Sequence, residues 1–417
     1  MKALVYDVDI EDVLHLIQDA QQSKEAYLGA HSPLSLRELP DAVVQFPDWL
    51  VIQTRLTGIC GSDTKQVFMD FENIDSPMAS CASFPQVMGH EVVGTIAAVG
   101  PAVTTRRVGE RVVLNPWLSC APRGIAPLCP MCREGQFSLC QSFRHGRLPA
   151  GIHTGTCRGA SGGFAPLVPA HESMAIPIPD GVSDEQAVLA DPFAVSLHSV
   201  LRHPPRAGDL VVVYGCGTLG LCAIEILHTL FDARIVAIAR FDHQARLATQ
   251  LGAEEAIDWR PTERIVARLA ERTGSDVFTP AEGAPGLPML YGRPGVRVVY
   301  NTVGSAESLE VAVRIAGPRS TVVMSGVDTP ARFEWSPHYF KEINLVGSNA
   351  FGVEELDGVR KHAIEHYLDL VRAGRVDVTP ILTHRFPLDA YRDAFRATHD
   401  QGESGAVKVL FDFRGHG

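Results

Sequence analysis

The amino-acid sequence predicts an α/β protein in which a β-rich domain is interrupted by a parallel sheet with helices on its faces. From about residue 42 to residue 185, short β-branched runs are broken by Gly and Pro, as in barrel-like all-β domains. From about 209 to 327, apolar strands alternate with helical stretches, which is typical of a parallel sheet. A helix and a last strand, VKVLFDF, follow. We expect the β-rich domain to comprise residues 1–187 and 345–417, and the parallel-sheet domain residues 188–344.

Composition favours a globular protein with a small-molecule partner. The chain has 417 residues, of which 46% are hydrophobic and 20% charged, so it can bury large cores. The net charge of −11, without a Lys/Arg cluster, argues against nucleic-acid and membrane-surface binding. No apolar run reaches the ~20 residues of a transmembrane helix, and the acidic start MKALVYDVDIEDV is unlike a secretory signal. Nine cysteines, four of them between 120 and 140, indicate reduced thiols, a metal and a cytoplasmic location.

Two further segments are predicted without an assigned role. One amphipathic helix is expected between an Asp9 N-cap and Gly29, with apolar positions at Ile10, Val13, Leu14, Ile17, Tyr27 and Leu28. The Pro/Gly-rich connector 274–295 is long for a loop in a compact domain. It is either a surface excursion or a functional lid.

The sequence GCGTLG follows the strand LVVVY and precedes an apolar helix, which is the context of a dinucleotide-binding turn. Gly215 permits the tight turn, Gly217 lets the backbone approach a pyrophosphate, and Gly220 allows close packing of helix on strand. Thr218 and Leu219 begin the helix, whose free N–H groups would face the anion. We therefore predict a nicotinamide dinucleotide site here.

The cofactor type depends on the end of the second strand. About 20 residues after the glycines, an NAD site has an acid that binds the ribose hydroxyls, but Arg240 occupies this position in RIVAIARFD. A guanidinium there favours the 2′-phosphate of NADP. Alternatively, Arg240 is a solvated strand-end residue and Asp242 binds the ribose. Candidates for the nicotinamide edge follow later strands, namely Val303, Gly304, Ser325 and Gly326.

Two sets of metal-ligand residues are present. Cys120, Cys129, Cys132 and Cys140 have the spacing C-x8-C-x2-C-x7-C, which indicates a closed, structural zinc site. A dispersed set, Cys60, His90, Glu91 and Asp191, offers the mixed ligands of a catalytic zinc. Neighbouring residues of a strand face opposite sides, so His90 and Glu91 can both be ligands only with a local distortion.

Together these motifs resemble the zinc-dependent medium-chain alcohol and polyol dehydrogenases, including sorbitol- and threonine-dehydrogenase-like members. The resemblance covers nearly the whole chain and includes MKALVY, GICGSD, FPQVMGHEVVGTIAAVG, GGFAPLVPA, DPFAVSLH and FKEINLVGS. It implies a GroES-like catalytic domain interrupted by a Rossmann domain. It also implies that Cys60 and His90 bind the catalytic zinc, with Asp191 as third ligand, Glu91 nearby, and Ser62 relaying the substrate proton.

The implied activity is hydride transfer between a secondary or polyol-like alcohol and NADP or NAD, in a homodimer or homotetramer. Two departures stand out: Lys65 replaces a histidine that many relatives carry, and the first cysteine gap is x8 where x2 is usual. The alternatives are a zinc-free quinone or enoyl reductase and a non-catalytic NAD(P)-binding sensor. The sequence leaves the substrate and the physiological direction open.

Overall fold

The computed structural model describes residues 1–70, 80–292, 295–326, 328 and 333–415. Its strands are β1 (Lys2–Tyr6), β2 (Leu34–Glu38), β3 (Trp49–Gly58), β4 (Gln86–Val87), β5 (Glu91–Val99), β6 (Arg111–Leu114), β7 (Leu167–His171), β8 (Ala175–Pro177), β9 (Leu210–Tyr214), β10 (Arg234–Ala239), β11 (Glu255–Asp258), β12 (Asp276–Phe278), β13 (Met289–Tyr291), β14 (Val296–Asn301), β15 (Ala316–Met324), β16 (Asn344–Gly347), β17 (Val353–Leu356), β18 (Val359–His362), β19 (Leu382–Phe386) and β20 (Lys408–Asp412).

The α-helices are α1 (Ile10–Ala20), α2 (Gly61–Val67), α3 (Pro130–Arg133), α4 (Asp184–Ala187), α5 (Ala190–Arg202), α6 (Thr218–Phe231), α7 (Asp242–Gln250), α8 (Thr262–Thr273), α9 (Ala306–Ile315), α10 (Ser336–Phe340), α11 (Ala363–Arg372), α12 (Tyr391–His399) and α13 (Gln401–Ser404). Short 3-10 helices occur at Lys24–Leu28, Phe137–Leu139, Glu172–Met174, Thr379–Ile381 and Leu388–Ala390. Within the described ranges, no helix has both the length and the apolar character needed to cross a membrane.

The chain folds into two units. The β-rich unit comprises Met1–Asp191, Glu355–Arg372 and Leu382–Gly417, and the parallel-sheet unit comprises Pro192–Glu354 and Ala373–Ile381.

The β-rich unit is built on a seven-stranded sheet in the order β19-β20-β3-β5-β6-β8, with β7 paired to β3. All of its pairs except β19–β20 are antiparallel. The long central pair β3–β5 has register shifts near Val51 and Thr54 that bend the sheet. Inward side chains of the sheet form one core, including Trp49, Ile52, Val92, Ile96 and Leu114. This is the predicted barrel-like, GroES-like organisation.

The parallel-sheet unit contains six strands in the order β11-β10-β9-β14-β15-β16, and every pair is parallel. All five residues of β9 are buried, as expected for a strand covered by helices on both faces. The strand order reverses between β9 and β14, and ligands of such sheets bind beyond the carboxyl ends of the strands at this point. The predicted Rossmann topology is therefore confirmed.

The two segments without an assigned role differ from a simple extrapolation of the sequence. The prediction of one helix to Gly29 is wrong: α1 ends at Ala20 and a separate 3-10 helix follows, because Ser23 is extended (φ −156°) and caps the new turn. Ile10, Leu14 and Ile17 of α1 are exposed, and only Leu16 is buried. The connector folds into the antiparallel hairpin β12–β13, whereas residues 293 and 294 lie outside the described residues.

Candidate active site

Cys60 lies between β3 and α2, at the N-cap of the helix. Its backbone N–H donates to Oδ2 of Asp63 at 2.9 Å, and the buried Asp63 thereby fixes the entry of the chain into α2. Ser62 is half-buried in the first turn of the same helix. Further along, the Lys65 ammonium donates to the carbonyl oxygen of Asp70 at 3.4 Å. The short helix thus carries three of the positions that the sequence singled out.

His90 and Glu91 approach Cys60 from the start of β5. The strand begins at Glu91, so His90 precedes it, and the two side chains need not point to opposite faces of the sheet. Gly89, at φ +89°, supplies the local distortion that the sequence required. One donor atom each from Cys60, His90 and Glu91 lies within 4.8 Å of the others. We call these three residues the mixed cluster.

The surroundings of His90 favour a cation. Its Nδ1 atom is buried and finds no hydrogen-bond partner in the described part of the chain, since Oδ1 of Asp63 is 3.7 Å away. Burial alone would lower the pKa of His90, but the Asp63 carboxylate and the Cys60 thiol raise it well above its ordinary value. The field around the buried ring thus favours a positive charge, which a metal ion can supply in place of a proton.

Asp191 lies in the first turn of α5 and is buried close to the mixed cluster, although it is outside the 4.8 Å group. Burial, together with the Glu91 and Asp63 carboxylates, raises the pKa of Asp191 to about 7, against the opposing effects of His90 and Lys408. Several acids therefore share one buried volume, and an added cation would relieve their repulsion.

Lys408, on β20, is a site residue that the sequence analysis missed. The residue is 1% exposed, and its ammonium forms an ion pair with Glu91 and donates to the carbonyl oxygen of Ile59 at 3.1 Å. A Cβ atom on Gly58 would lie 1.9 Å from Oε2 of Glu91, so only glycine leaves room for this pair. The available signal was a lysine within the apolar strand VKVLFDF.

His153 is a second residue that was missed. Its ring centroid is 4.6 Å from that of His90, and its Nδ1 lies 2.6 Å from the carbonyl oxygen of Thr154. Burial and the neighbouring His90 lower the pKa of His153 to about 4. Its position depends on the loop after residue 150 returning to β5, which no local pattern indicates.

The four cysteines of residues 120–140 converge, as predicted, and we call them the cysteine lobe. Their sulfur atoms lie within 4.8 Å of one another, and the sulfurs of Cys120 and Cys140 are 3.7 Å apart. Zinc–sulfur bonds of about 2.3 Å in a tetrahedron require sulfur separations of about 3.8 Å. Burial opposes ionisation of Cys129, but N–H groups of Gln141 and Cys132 lower its thiol pKa to about 6. The lobe therefore fits a zinc ion.

Arg123 organises the lobe from inside. It is fully buried and donates five hydrogen bonds to backbone carbonyl oxygens, those of Leu118, His145, Leu148, Pro149 and Gly151. Because these acceptors are backbone groups, the loop ends are tied together without a carboxylate. The positive charge also faces the thiols of the lobe, which would be thiolates around a metal.

The Gly-rich loop has the geometry of a dinucleotide cradle. Gly215 has φ +95°, and a Cβ atom on Gly220 would lie 1.8 Å from the carbonyl oxygen of Gly215. Gly217 is the N-cap of α6, and a Cβ atom added there would meet nothing within 4 Å, so the backbone is open to a ligand. Thr218 and Leu219 begin the helix. The fit to a pyrophosphate follows from the open turn and the helix N-terminus.

The predicted nicotinamide-edge residues lie beyond β14 and β15, beside this loop. Val303 is adjacent to Gly215, since a Cβ atom on Gly215 would lie 2.5 Å from Cγ2 of Val303. Ser325 donates its N–H to the carbonyl oxygen of Asn301 at 3.0 Å. Oδ1 of Asn301 accepts the N–H groups of Val303 and Gly304, both at 3.1 Å. Asn301, which the sequence analysis missed, thus shapes this end of the sheet.

Arg240 directly follows β10, at the position expected from the sequence, whereas Asp242 is the first residue of α7. Arg240 is exposed, and its guanidinium carbon lies 5.0 Å from the ring centroid of Trp259 and 5.2 Å from that of Phe241. No carboxylate of the described residues pairs with it. The guanidinium therefore keeps its hydrogen-bond donors available for an anion.

Comparison with known proteins places this arrangement in a family. The alcohol dehydrogenase GroES-like domain matches residues 46–180, and the zinc-binding dehydrogenase family matches residues 218–368. L-threonine 3-dehydrogenase of Rhizobium etli (strain CIAT 652) is 29% identical over 88% of this chain and 92% of its own.

Two solved structures are also similar. A Sinorhizobium meliloti 1021 protein assigned as a zinc-binding dehydrogenase and bound to NADP is 25% identical, with a TM-score of 0.69 over 91% of this chain and 96% of its own. The E. coli CFT073 alcohol dehydrogenase rspB, complexed with NADH, is 23% identical, with a TM-score of 0.71 over 99% of both chains.

The fold and the Gly-rich cradle define a nicotinamide-dependent dehydrogenase. More particularly, the chain belongs to the zinc-dependent medium-chain alcohol and polyol dehydrogenases. It is an NAD(P)-dependent alcohol dehydrogenase that acts on a small molecule.

Proposed function

We propose that this enzyme transfers hydride between a secondary or polyol-like alcohol and NADP. In this proposal Cys60, His90 and Asp191 hold a catalytic zinc, and the cysteine lobe holds a structural zinc. The observation that carries the proposal is the convergence of the Cys60 and His90 donor atoms within 4.8 Å, with the buried Asp191 carboxylate close to them. A homodimer or homotetramer is also proposed, and light scattering of the purified protein tests it.

Asp191 is the preferred third ligand because the Glu91 carboxylate is already paired with Lys408. The Asp191 carboxylate makes no hydrogen bond or ion pair within the described ranges, and burial disfavours its charge unless a cation is added. A Cys-His-carboxylate set leaves one position open, as catalytic zinc sites do. Glu91 then remains beside the metal, held by Lys408.

Bound zinc would act as a Lewis acid on the substrate oxygen. The chain's own residues supply positioning and proton transfer. Asp63 fixes the backbone of Cys60 and faces His90, so it orients two ligands at once. Ser62, half-buried in the first turn of α2, is proposed to take up the hydroxyl proton of the substrate while it releases its own hydroxyl proton to solvent. Lys65 is turned toward the backbone of Asp70, which leaves Ser62 as the proposed relay.

The preference for NADP is supported by Arg240. It occupies the position after the second strand of the Rossmann sheet, where a carboxylate would bind the ribose of NAD. Its guanidinium has aromatic neighbours but no acidic partner in the described part of the chain. A 2′-phosphate would provide that partner through charge-assisted hydrogen bonds.

The substrate class is inferred from relatives. L-threonine 3-dehydrogenase, by its name, acts at carbon 3 of threonine, which bears a secondary hydroxyl. We therefore propose a secondary alcohol or polyol. A panel of such alcohols, followed by absorbance of the reduced nicotinamide with NADP and NAD in parallel, tests both parts. Turnover of primary alcohols alone, or a preference for NAD, would contradict the proposal.

The ligand assignment is tested by a matched pair of isosteric variants. Asp191→Asn should remove about one zinc ion per chain together with activity, whereas Glu91→Gln should retain the metal. Zinc content by atomic spectroscopy and kcat are measured on the same samples. The reverse result would make Glu91 the third ligand. One zinc ion per chain in the wild type, unchanged in both variants and in Cys60→Ser, would favour a zinc-free reductase.

A further inference from the structure

The residues that follow β10 and β11 form a stacked cationic group. Ala239 and Asp258 end the two strands as register partners, and the N–H of Trp259 donates to the carbonyl oxygen of Ala239 at 3.0 Å. This bond extends the strand pairing by one residue and holds Trp259 beside Arg240. The guanidinium carbons of Arg240 and Arg260 lie 5.0 Å and 3.9 Å from the centroid of the Trp259 ring. The indole is thus shared by two cations.

The two arginines differ in their acidic partners. Arg260 makes a bidentate pair with Glu307, through Nε at 2.9 Å and Nη2 at 2.8 Å. Arg240 has no such carboxylate among the residues that the structure describes. Both guanidinium groups are within reach of the same ring, but the charge of only one of them is already compensated.

We propose that Trp259 is a positioning residue for cofactor selection: its indole face holds Arg240 ready for the 2′-phosphate of NADP, and Glu307 keeps Arg260 out of that contact. This inference rests on the proposed preference for NADP. A cation on an aromatic face is confined to fewer rotamers, so less conformational entropy is lost when the phosphate binds. Glu307 limits phosphate recognition to a single arginine because its two carboxylate oxygens occupy the Nε–Nη2 edge of Arg260 and compensate its charge.

Trp259 also contributes to stability, since it packs partly buried against the core of the parallel-sheet unit. A truncation to alanine would therefore mix two effects. Trp259→Leu keeps an apolar side chain but removes the aromatic face, and Trp259→Phe keeps a face of smaller size. The two variants separate stacking on Arg240 from packing in the core.

The test uses two probes that differ only in the 2′-phosphate, namely 2′,5′-ADP and 5′-AMP, with dissociation constants measured by calorimetry on the full-length protein. Trp259→Leu should weaken 2′,5′-ADP roughly two- to fivefold, as expected for an exposed cation–π contact, and leave 5′-AMP unchanged. Trp259→Phe should bind 2′,5′-ADP nearly as tightly as the wild-type protein does. Glu307→Gln should tighten 2′,5′-ADP, because it releases Arg260 as a second phosphate ligand.

The outcomes separate this inference from the proposed function. If the wild-type protein binds both probes equally, the preference for NADP is wrong. A second case is that the wild-type protein prefers 2′,5′-ADP and Arg240→Ala abolishes the preference. The role of Trp259 is then refuted if Trp259→Leu leaves the binding of both probes unchanged or weakens it equally. Unchanged or weaker binding of 2′,5′-ADP by Glu307→Gln would refute the role of Glu307.

Discussion

The cysteine lobe and the mixed cluster lie in the same β-rich unit, yet they are built in opposite ways. The lobe takes all four donors from residues 120–140, and the fully buried Arg123 ties its loop ends together. The mixed cluster takes its donors from segments around residues 60 and 90, with Asp191 nearby, and depends on the β3–β5 pairing to bring them together. The lobe is therefore a local structure, whereas the cluster is a product of the whole sheet.

The donors also differ in chemistry. Four thiolates satisfy a tetrahedral zinc and close it to other ligands, but a thiol, an imidazole and a carboxylate leave a position for substrate. Arg123, which hydrogen-bonds only to backbone carbonyl oxygens, places one positive charge beside the lobe. In the mixed cluster, the charge of the Glu91 carboxylate is compensated by the buried ammonium of Lys408. We expect the lobe to serve stability and the cluster to serve catalysis.

The largest expected effect is on stability, from Cys129→Ser in the lobe. Structural zinc contributes on the order of 10 kcal/mol to the folding of small zinc domains, so the free energy of unfolding should fall by at least about 5 kcal/mol. Denaturant unfolding, monitored through the release of zinc, measures this loss of stability. Cys81→Ser is the control, because Cys81 is a free cysteine outside both donor groups. Equal stability of the two variants would contradict a structural role for the lobe.

Cys60→Ser should lower activity strongly and stability little, which is the opposite of what we expect from Cys129→Ser. Loss of the catalytic metal should lower kcat/KM at least about 10³-fold, or about 4 kcal/mol of transition-state stabilisation, while the unfolding midpoint changes little. Steady-state kinetics and thermal unfolding on the same preparation provide the comparison. Retained activity, or unfolding as severe as in Cys129→Ser, would remove the distinction between the two regions.

Lys408→Met tests the ion pair beneath the mixed cluster. It leaves the Glu91 carboxylate buried without its partner, which should cost about 3 kcal/mol of stability. The double variant Glu91→Gln/Lys408→Met should recover much of that loss, because neither charge is then left alone. Additive losses in a double-mutant cycle would indicate that the two side chains contribute separately.

The smallest effect is expected from Asp63→Asn, which alters the support of the ligands and not the ligands themselves. The zinc affinity of the mixed cluster should fall roughly 10- to 100-fold, with the lobe unaffected. Competition with a chromogenic chelator measures both sites. Asp393→Asn, an exposed acid of the same unit, is the matched control and should leave both affinities unchanged.

Sequence reasoning succeeded where the determinants are local. The cysteine spacing, the glycines of the dinucleotide turn and the alternation of strands and helices predicted the lobe, the cradle and the Rossmann sheet. Arg240 was placed correctly by counting from Gly220, because βα units have nearly fixed lengths. These features depend on a few consecutive residues and their backbone geometry.

It failed where distant segments meet. Lys408 and His153 reach the mixed cluster from β20 and from the loop after residue 150, and only the folded sheet brings them there. The apparent conflict between His90 and Glu91 was resolved by where β5 begins, a boundary that sequence patterns locate poorly. The end of α1 was missed for a similar reason, since the Ser23 cap competes with helix continuation.

The most direct test of the account is stepwise removal of zinc from the wild-type protein with a mild chelator, following zinc content, activity and near-UV circular dichroism together. Activity should disappear with the first of about two zinc ions, from the open mixed cluster, while the folded signal persists. The signal should fall only as the second ion leaves the cysteine lobe. Full activity with one zinc remaining, or loss of fold with the first ion, would contradict the separation of a catalytic from a structural site.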